Sequence, residues 1–143
     1  ASDWSSDVCS SDLERQVIPD GSAPVADAIR AAASRGIRLL VATGGTGLGP
    51  RDRTPEGFRD AIELEIPGFG ERMREAGRTS TPMADLSRSL AGSLGSLLAI
   101  AVPGSPRGAL ESLDAVLPLL PHALAILAGR TAEHPGGPAG GAS

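Results

Sequence analysis

The sequence predicts a single α/β domain, a three-layer sandwich built on a mainly parallel sheet, and three observations lead there. Ile37–Ala42 and Leu97–Val102 are short aliphatic runs without alternation, the pattern of strands buried on both faces of a parallel sheet. Strand, Gly/Pro-rich loop and apolar helical stripe recur in that order along the chain. The only aromatic residues are Trp4, Phe58 and Phe69, so Leu, Ile, Val and Ala must fill the core. That suits helices on a sheet better than a β-sandwich, which favours aromatic and β-branched side chains.

Taken in order, residues 1–13 stand apart. They repeat Ser-Asp units around Trp4, Val8 and Cys9 without helical or strand periodicity, and the string resembles a translated sequencing adapter. The expectation is a foreign or disordered segment at 1–13, a folded domain at 14–128 and a flexible Gly/Pro/Ala-rich tail at 129–143. Residues 16–19 read as the tail of a strand broken at Pro19-Asp20-Gly21. Ser22 is placed to cap a helix over about 23–35, with Pro24 in its first turn, Gly36 past its end, and Val25, Ile29 and Ala32/Ala33 on one face. After the 37–42 strand and its glycine loop, a helix is expected over about 55–65. Pro67-Gly68 interrupts it, and a second stretch runs from Phe69 to Ala76, closed by Gly77. Residues 83–91 read as weakly helical, and 97–102 as a strand ended by Pro103-Gly104-Ser105-Pro106. The last helix, about 108–128, carries Leu110, Leu113, Val116/Leu117, Leu120, Leu124 and Leu127 at spacings of three and four, with a kink or break at Pro118 and Pro121.

Charge and cysteine usage narrow the function classes. All thirteen basic residues are Arg, and of the 17 acids three precede Glu14, leaving 14 acids against 13 bases in the body. No basic stripe points to nucleic acid. Cys9 is alone, so no internal disulfide forms, and a reducing cytoplasmic setting is expected. The apolar runs fall short of the ~20 residues of a membrane span, and no signal-peptide pattern opens the chain.

In such sheets ligands gather at the carboxyl ends of strands. Three loops are candidates: Pro19–Gly21, residues 43–56, and residues 103–108. In the second, Gly44, Gly45, Gly47 and Gly49 let the backbone approach an anion and turn N–H groups toward it. Thr43 and Thr46 add hydroxyl donors, and the following helix starts near Thr54, Pro55 and Glu56. Asp52 suits Mg²⁺, which favours carboxylate oxygens together with substrate phosphates. The loop lacks the Gly-Lys-Ser/Thr of a Walker A motif and the Rossmann spacing. Glycine richness alone leaves a plain chain reversal equally open.

The whole string decides more. TGGTGLGPRDRTPE, followed in order by IPGFGERMR, TPMADLSR and VPGSPRGALESL, closely resembles the MogA/MoaB family, shared with the gephyrin G domain, over about residues 15–128. The resemblance implies a three-layer α/β domain assembling as a homotrimer or a hexamer. It implies molybdenum cofactor biosynthesis: with Mg²⁺, the terminal phosphate of molybdopterin attacks the α-phosphate of ATP and pyrophosphate leaves. Carried over residue by residue, Asp20 and Asp52 match the family's essential aspartates, assigned to metal and nucleotide orientation. Gly44, Gly45, Thr46 and Gly47 would hold phosphate or pterin, and Ser87 with Pro103, Gly104, Ser105 and Pro106 would line the pterin pocket. Other roles stay open: Asp20 stabilising its own turn, Arg51 and Arg53 as solvated charges, Ser87 bonding local backbone. Arg107 reads as a surface charge. His122 and His134, without companion ligands, make no metal site.

Against the family pattern, the first strand, its loop and its helix are absent before Glu14, roughly 30–45 residues by the size of a βα unit. The expectation is an enzyme, a molybdopterin adenylyltransferase, with a first βα unit missing, an unpaired sheet edge, and the activity of this chain by itself in question. Two other readings share the same loops: a non-catalytic MoaB-like molybdopterin-binding protein, and a detached domain of a larger molybdenum-insertion protein.

Overall fold

The computed structural model describes residues 13–133; the expectations for residues 1–12 and 134–143, with Trp4, Cys9 and His134, lie outside them. Four strands form one sheet: β1 (Leu39–Thr43), β2 (Leu64–Glu65), β3 (Leu90–Leu94) and β4 (Leu97–Val102), in the spatial order β1-β4-β3-β2. Five α-helices flank it: α1 (Ser22–Ser34), α2 (Thr54–Ala61), α3 (Pro67–Arg78), α4 (Pro106–Val116) and α5 (Leu120–Glu133).

β4 explains the layering. Its side chains alternate between the two faces of the sheet, as strand geometry requires. Leu97, Ala99 and Ala101 enter one core with Val25 and Ile29 of α1 and Phe58 of α2. Leu98, Ile100 and Val102 enter the other with Phe69 and Met73 of α3, Val116 of α4 and Leu120 and Leu127 of α5. All six β4 residues are buried, as their unbroken apolar run implies. The three-layer α/β sandwich is therefore present.

The sheet is mixed rather than mainly parallel. Only β1–β4 is parallel; β3–β4 and β2–β3 are antiparallel. The cause is a tight hairpin at Gly95 (φ 58°), which turns β3 straight back into β4. Residues 83–91 are accordingly not a helix: Pro82–Leu86 form a 3₁₀ turn, capped by Thr81 accepting from the Met83 N–H, and β3 starts at Leu90. The expected 55–65 helix stops at Ala61, because Leu64 and Glu65 pair with Ser93 and Gly92. Pro67 does not interrupt a helix but opens α3, where its missing N–H costs nothing.

Other departures are local. Residues 16–19 are not strand, and Val17 is 91% exposed. Gly21 rather than Ser22 is the N-cap of α1 and makes no side-chain cap. β1 is only half covered, with Leu39 and Val41 exposed, because it is the edge strand. In the C-terminal helices the break falls at the 3₁₀ turn Leu117–Leu119 around Pro118, and α5 runs on to Glu133. Leu110 and Leu117 face solvent instead of the core; α4 turns Ala109, Leu113 and Val116 to the core. The run Pro106–Gly129 is long and apolar enough by length and composition to cross a membrane, contrary to the expectation of short apolar runs. Its Val116, Leu120 and Leu127 are nonetheless part of the domain core.

Candidate functional site

Parallel pairing of β1 with β4 brings their carboxyl ends side by side, and each strand runs directly into a candidate loop. The Gly44 N–H donates to Val102 O at 3.0 Å, extending the ladder one residue past the strand. Beyond it the two loops touch: a Cβ on Gly104 would lie 3.2 Å from Gly44 Cα. Between them and the 3₁₀ turn opens a cleft of about 370 Å³, lined by Gly44, Gly45, Thr46, Gly47, Asp52, Met83, Leu86, Ser87, Pro103 and Gly104.

The glycine loop takes its shape from positive backbone angles at Gly44 (φ 94°) and Gly45 (φ 69°). Thr54 holds them from behind, its Oγ1 donating to Gly44 O at 2.9 Å and its N–H to Gly45 O at 3.0 Å. Among the described residues the N–H groups of Gly45, Thr46 and Gly47 have no protein acceptor. Three successive free donors at the wall of a cleft are what an anion requires. A side chain at Gly45 is excluded twice over, by its φ and by a Cβ that would collide with Thr54 Oγ1. Gly45→Ala is expected to cost about 1–3 kcal/mol of stability in urea unfolding, and to weaken ligand binding at the cleft at the same time.

Asp52 faces the cleft from the far end of the loop, where its Oδ2 accepts from the Gly49 N–H at 2.9 Å. Ser87 lines the same cleft, its Oγ sharing a hydrogen bond with Ser89 Oγ at 2.9 Å and accepting from the Ser89 N–H. Its hydroxyl thus both lines the cleft and bonds locally.

Not every anticipated residue is there. Asp20 is exposed beside the α1 N-cap and does not line the cleft. Thr54 and Pro55 are buried, and with Glu56 they brace the loop from below. Thr43, Ser105 and Pro106 also stay off the cleft wall; Ser105 caps α4 by accepting from the Gly108 N–H and borders a neighbouring hollow of about 210 Å³. Arg51 is exposed, Arg53 lies 4.0 Å from Glu56, and the 80%-exposed Arg107 pairs loosely with Glu111. Sequence reasoning missed Met83 and Leu86, apolar residues that the 3₁₀ turn exposes (61% and 50%) at the cleft mouth. Their spacing within TPMADLSR was the available signal, hidden by a helical reading.

It also missed Arg88. Its guanidinium donates to Gly47 O at 2.9 Å, to Asp52 O, and to Glu56 Oε2 at 2.6 Å. That guanidinium holds the Glu56 carboxyl below its ordinary pKa, against the opposing effect of burial.

No group of three or more His, Cys, Asp or Glu side chains converges among the described residues. The donor set fits a Mg²⁺ held by one carboxylate, Asp52, together with phosphate oxygens of a substrate, the way this ion is commonly bound.

The sequence matches the family model described as "Probable molybdopterin binding domain" over residues 6–122. Over 131 residues it is 45% identical to the molybdenum cofactor biosynthesis bifunctional protein of Synechococcus elongatus, taking in 92% of this chain and 40% of that protein. It is 42% identical over 91 residues to a molybdopterin adenylyltransferase of Helicobacter pylori, covering 64% of this chain and 52% of that protein. The chain therefore spans about half or less of the length of these curated relatives. Among solved structures, the molybdopterin biosynthesis enzyme MoaB of Thermus thermophilus superposes with TM-score 0.72 at 51% identity, over 78% of this chain and 70% of that one. A MogA structure superposes with TM-score 0.77 at 36% identity, over 80% and 76%. The family match takes in every loop that meets at the cleft, and the chain belongs to the molybdopterin-binding domain family.

Proposed function

We propose that this chain acts in molybdenum cofactor biosynthesis as a molybdopterin adenylyltransferase, joining AMP from ATP to the terminal phosphate of molybdopterin. The observation that carries the reading is the cleft itself, lined together by Gly45, Thr46 and Gly47, whose N–H groups have no protein acceptor among the described residues, and by Asp52 and Ser87, where the loops after β1 and β4 meet. In the proposed step a phosphate oxygen of molybdopterin forms a bond to the α-phosphorus of ATP, the bond to the bridging oxygen breaks, and pyrophosphate departs with that oxygen. Such transfers rest on positioning and charge neutralisation. The N–H groups of Gly45, Thr46 and Gly47 are donors for phosphate oxygens, fixed before substrate arrives and so reorganising little during the reaction. Bound Mg²⁺ would neutralise phosphate charge beside Asp52. Met83 and Leu86 offer apolar surface for a flat ring. A homotrimer or hexamer in the cytoplasm completes this reading.

A binding-only, MoaB-like role is favoured by one observation: a single carboxylate, Asp52, lines the cleft, whereas Asp20 stays outside it. Membership in a larger molybdenum-insertion protein is favoured by the bifunctional relative, of which this chain spans 40%. Pyrophosphate release separates catalysis from binding. With Mg-ATP and molybdopterin, steady release at a molybdopterin-dependent rate is expected; molybdopterin binding without release would establish the binding role instead.

A further inference from the structure

Ser87 and Arg88 are neighbours with different tasks. Ser87 lines the cleft, while Arg88 runs beneath the glycine loop and is only partly exposed. The Arg88 main-chain N–H donates to Thr46 O at 2.8 Å, and its side chain then grips three further acceptors: Gly47 O, Asp52 O and Glu56 Oε2. Gly47 and Asp52 form the neck of the lobe Leu48–Arg51, whose four residues are exposed. The lobe's internal ties are the bonds from the Gly49 N–H to Asp52 Oδ2 and from the Asp52 N–H to Gly49 O. Glu56, in the first turn of α2, anchors the guanidinium to a rigid element.

We propose that Arg88 is a positioning residue: it closes the neck of the glycine loop and so sets Asp52 and the free Gly45–Gly47 amides at a fixed separation from Ser87. The inference rests on the adenylyltransferase reading for its catalytic consequence, but its structural half stands alone. The planar fork of the Arg88 guanidinium spreads its donors over three nitrogens and reaches three separate acceptors at once, whereas a lysine ammonium directs all its donors from one nitrogen. Lysine therefore replaces the charge without replacing the geometry, and Arg88 acts through Asp52 rather than on substrate.

The test uses the full chain as Arg88→Met, Arg88→Lys and Glu56→Gln, with amide hydrogen exchange and pyrophosphate release as readouts. Exchange at Leu97–Val102 reports whether each variant keeps its core. Expected in Arg88→Met are native protection in that strand, at least about tenfold faster exchange at the Asp52 and Thr54 amides, and a fall in kcat larger than the rise in KM for ATP. Arg88→Lys should recover part of both, and Glu56→Gln, which keeps an acceptor, should perturb the loop least. Should Arg88→Met fail to fold, Arg88→Lys carries the same comparison. Native loop exchange and native kcat in Arg88→Lys and Arg88→Met would overturn the proposal. A wild-type chain that releases no pyrophosphate sinks the adenylyltransferase reading instead, and the exchange comparison still decides whether Arg88 holds the loop.

Discussion

Asp52→Asn is expected to lower molybdopterin-dependent pyrophosphate release by roughly 10²–10³-fold, the scale seen when one preorganised group at a reacting centre is lost. The variant is chosen because it spares the loop. An amide oxygen still accepts from the Gly49 N–H, and the Arg88 bond is to the Asp52 carbonyl, which the substitution leaves alone. What disappears is the negative charge at the cleft wall, the feature that suits a cation carrying phosphate. Stability should move little, since Asp52 is only part-buried and lies outside both cores. Asp20→Asn is the internal comparison. Exposed and away from the cleft, Asp20 should matter far less; an equal loss there would restore the two-carboxylate site implied by the family resemblance.

Phe58→Ala tests the fold that holds the site. Phe58 is fully buried between α1, α2 and the sheet, in the same core as Ile29, Leu97, Ala99 and Ala101. Two of the three β4 residues on this face are alanines, which have no side-chain length to move into the space a phenyl ring leaves. Removing it is expected to cost about 3–5 kcal/mol, transfer and cavity terms together. Against a total stability of about 5–15 kcal/mol for a domain, that is a large part of the whole, visible as a clear drop in the urea midpoint. Because α2 begins at Thr54, which secures Gly44 and Gly45, the same variant should loosen the glycine loop.

The parts legible in the sequence are those whose cause is local. Leu97–Val102 is a strand because six apolar residues in a row suit only a doubly covered position. Gly44 and Gly45 mark a tight loop because its dihedral angles belong to glycine, and both adopt them. Pro118 breaks the last helix for equally local reasons. The misreadings arise where a distant partner decides. Leu64-Glu65 is strand only because Ser93 and Gly92 lie alongside, and no periodicity in two residues announces that. Leu90–Leu94, with Gly92 and Ser93 inside it, has weak intrinsic strand character, yet it is enforced by pairing on both edges. Arg88 is the sharpest case. One arginine in the sequence carries no sign of which carbonyls it will reach, and its role exists only once the loop 41 residues upstream folds over it. Thr54, Pro55 and Glu56 were drawn to the site by the usual association of helix N-termini with anions. Here the Thr54 N–H is spent on Gly45 O, so that end of α2 supports the loop instead of facing the cleft.

On the proposed function, the glycine loop, Asp52 and Ser87 form one cleft that takes molybdopterin. Amide chemical shifts in a ¹⁵N-labelled chain titrated with molybdopterin test it most directly. Saturable shifts are expected at Gly45, Thr46, Gly47, Asp52, Ser87 and Gly104, with Leu39–Val41 and α5 unchanged. Shifts confined to other surfaces, with the Gly45–Gly47 amides unmoved at saturation, would contradict it.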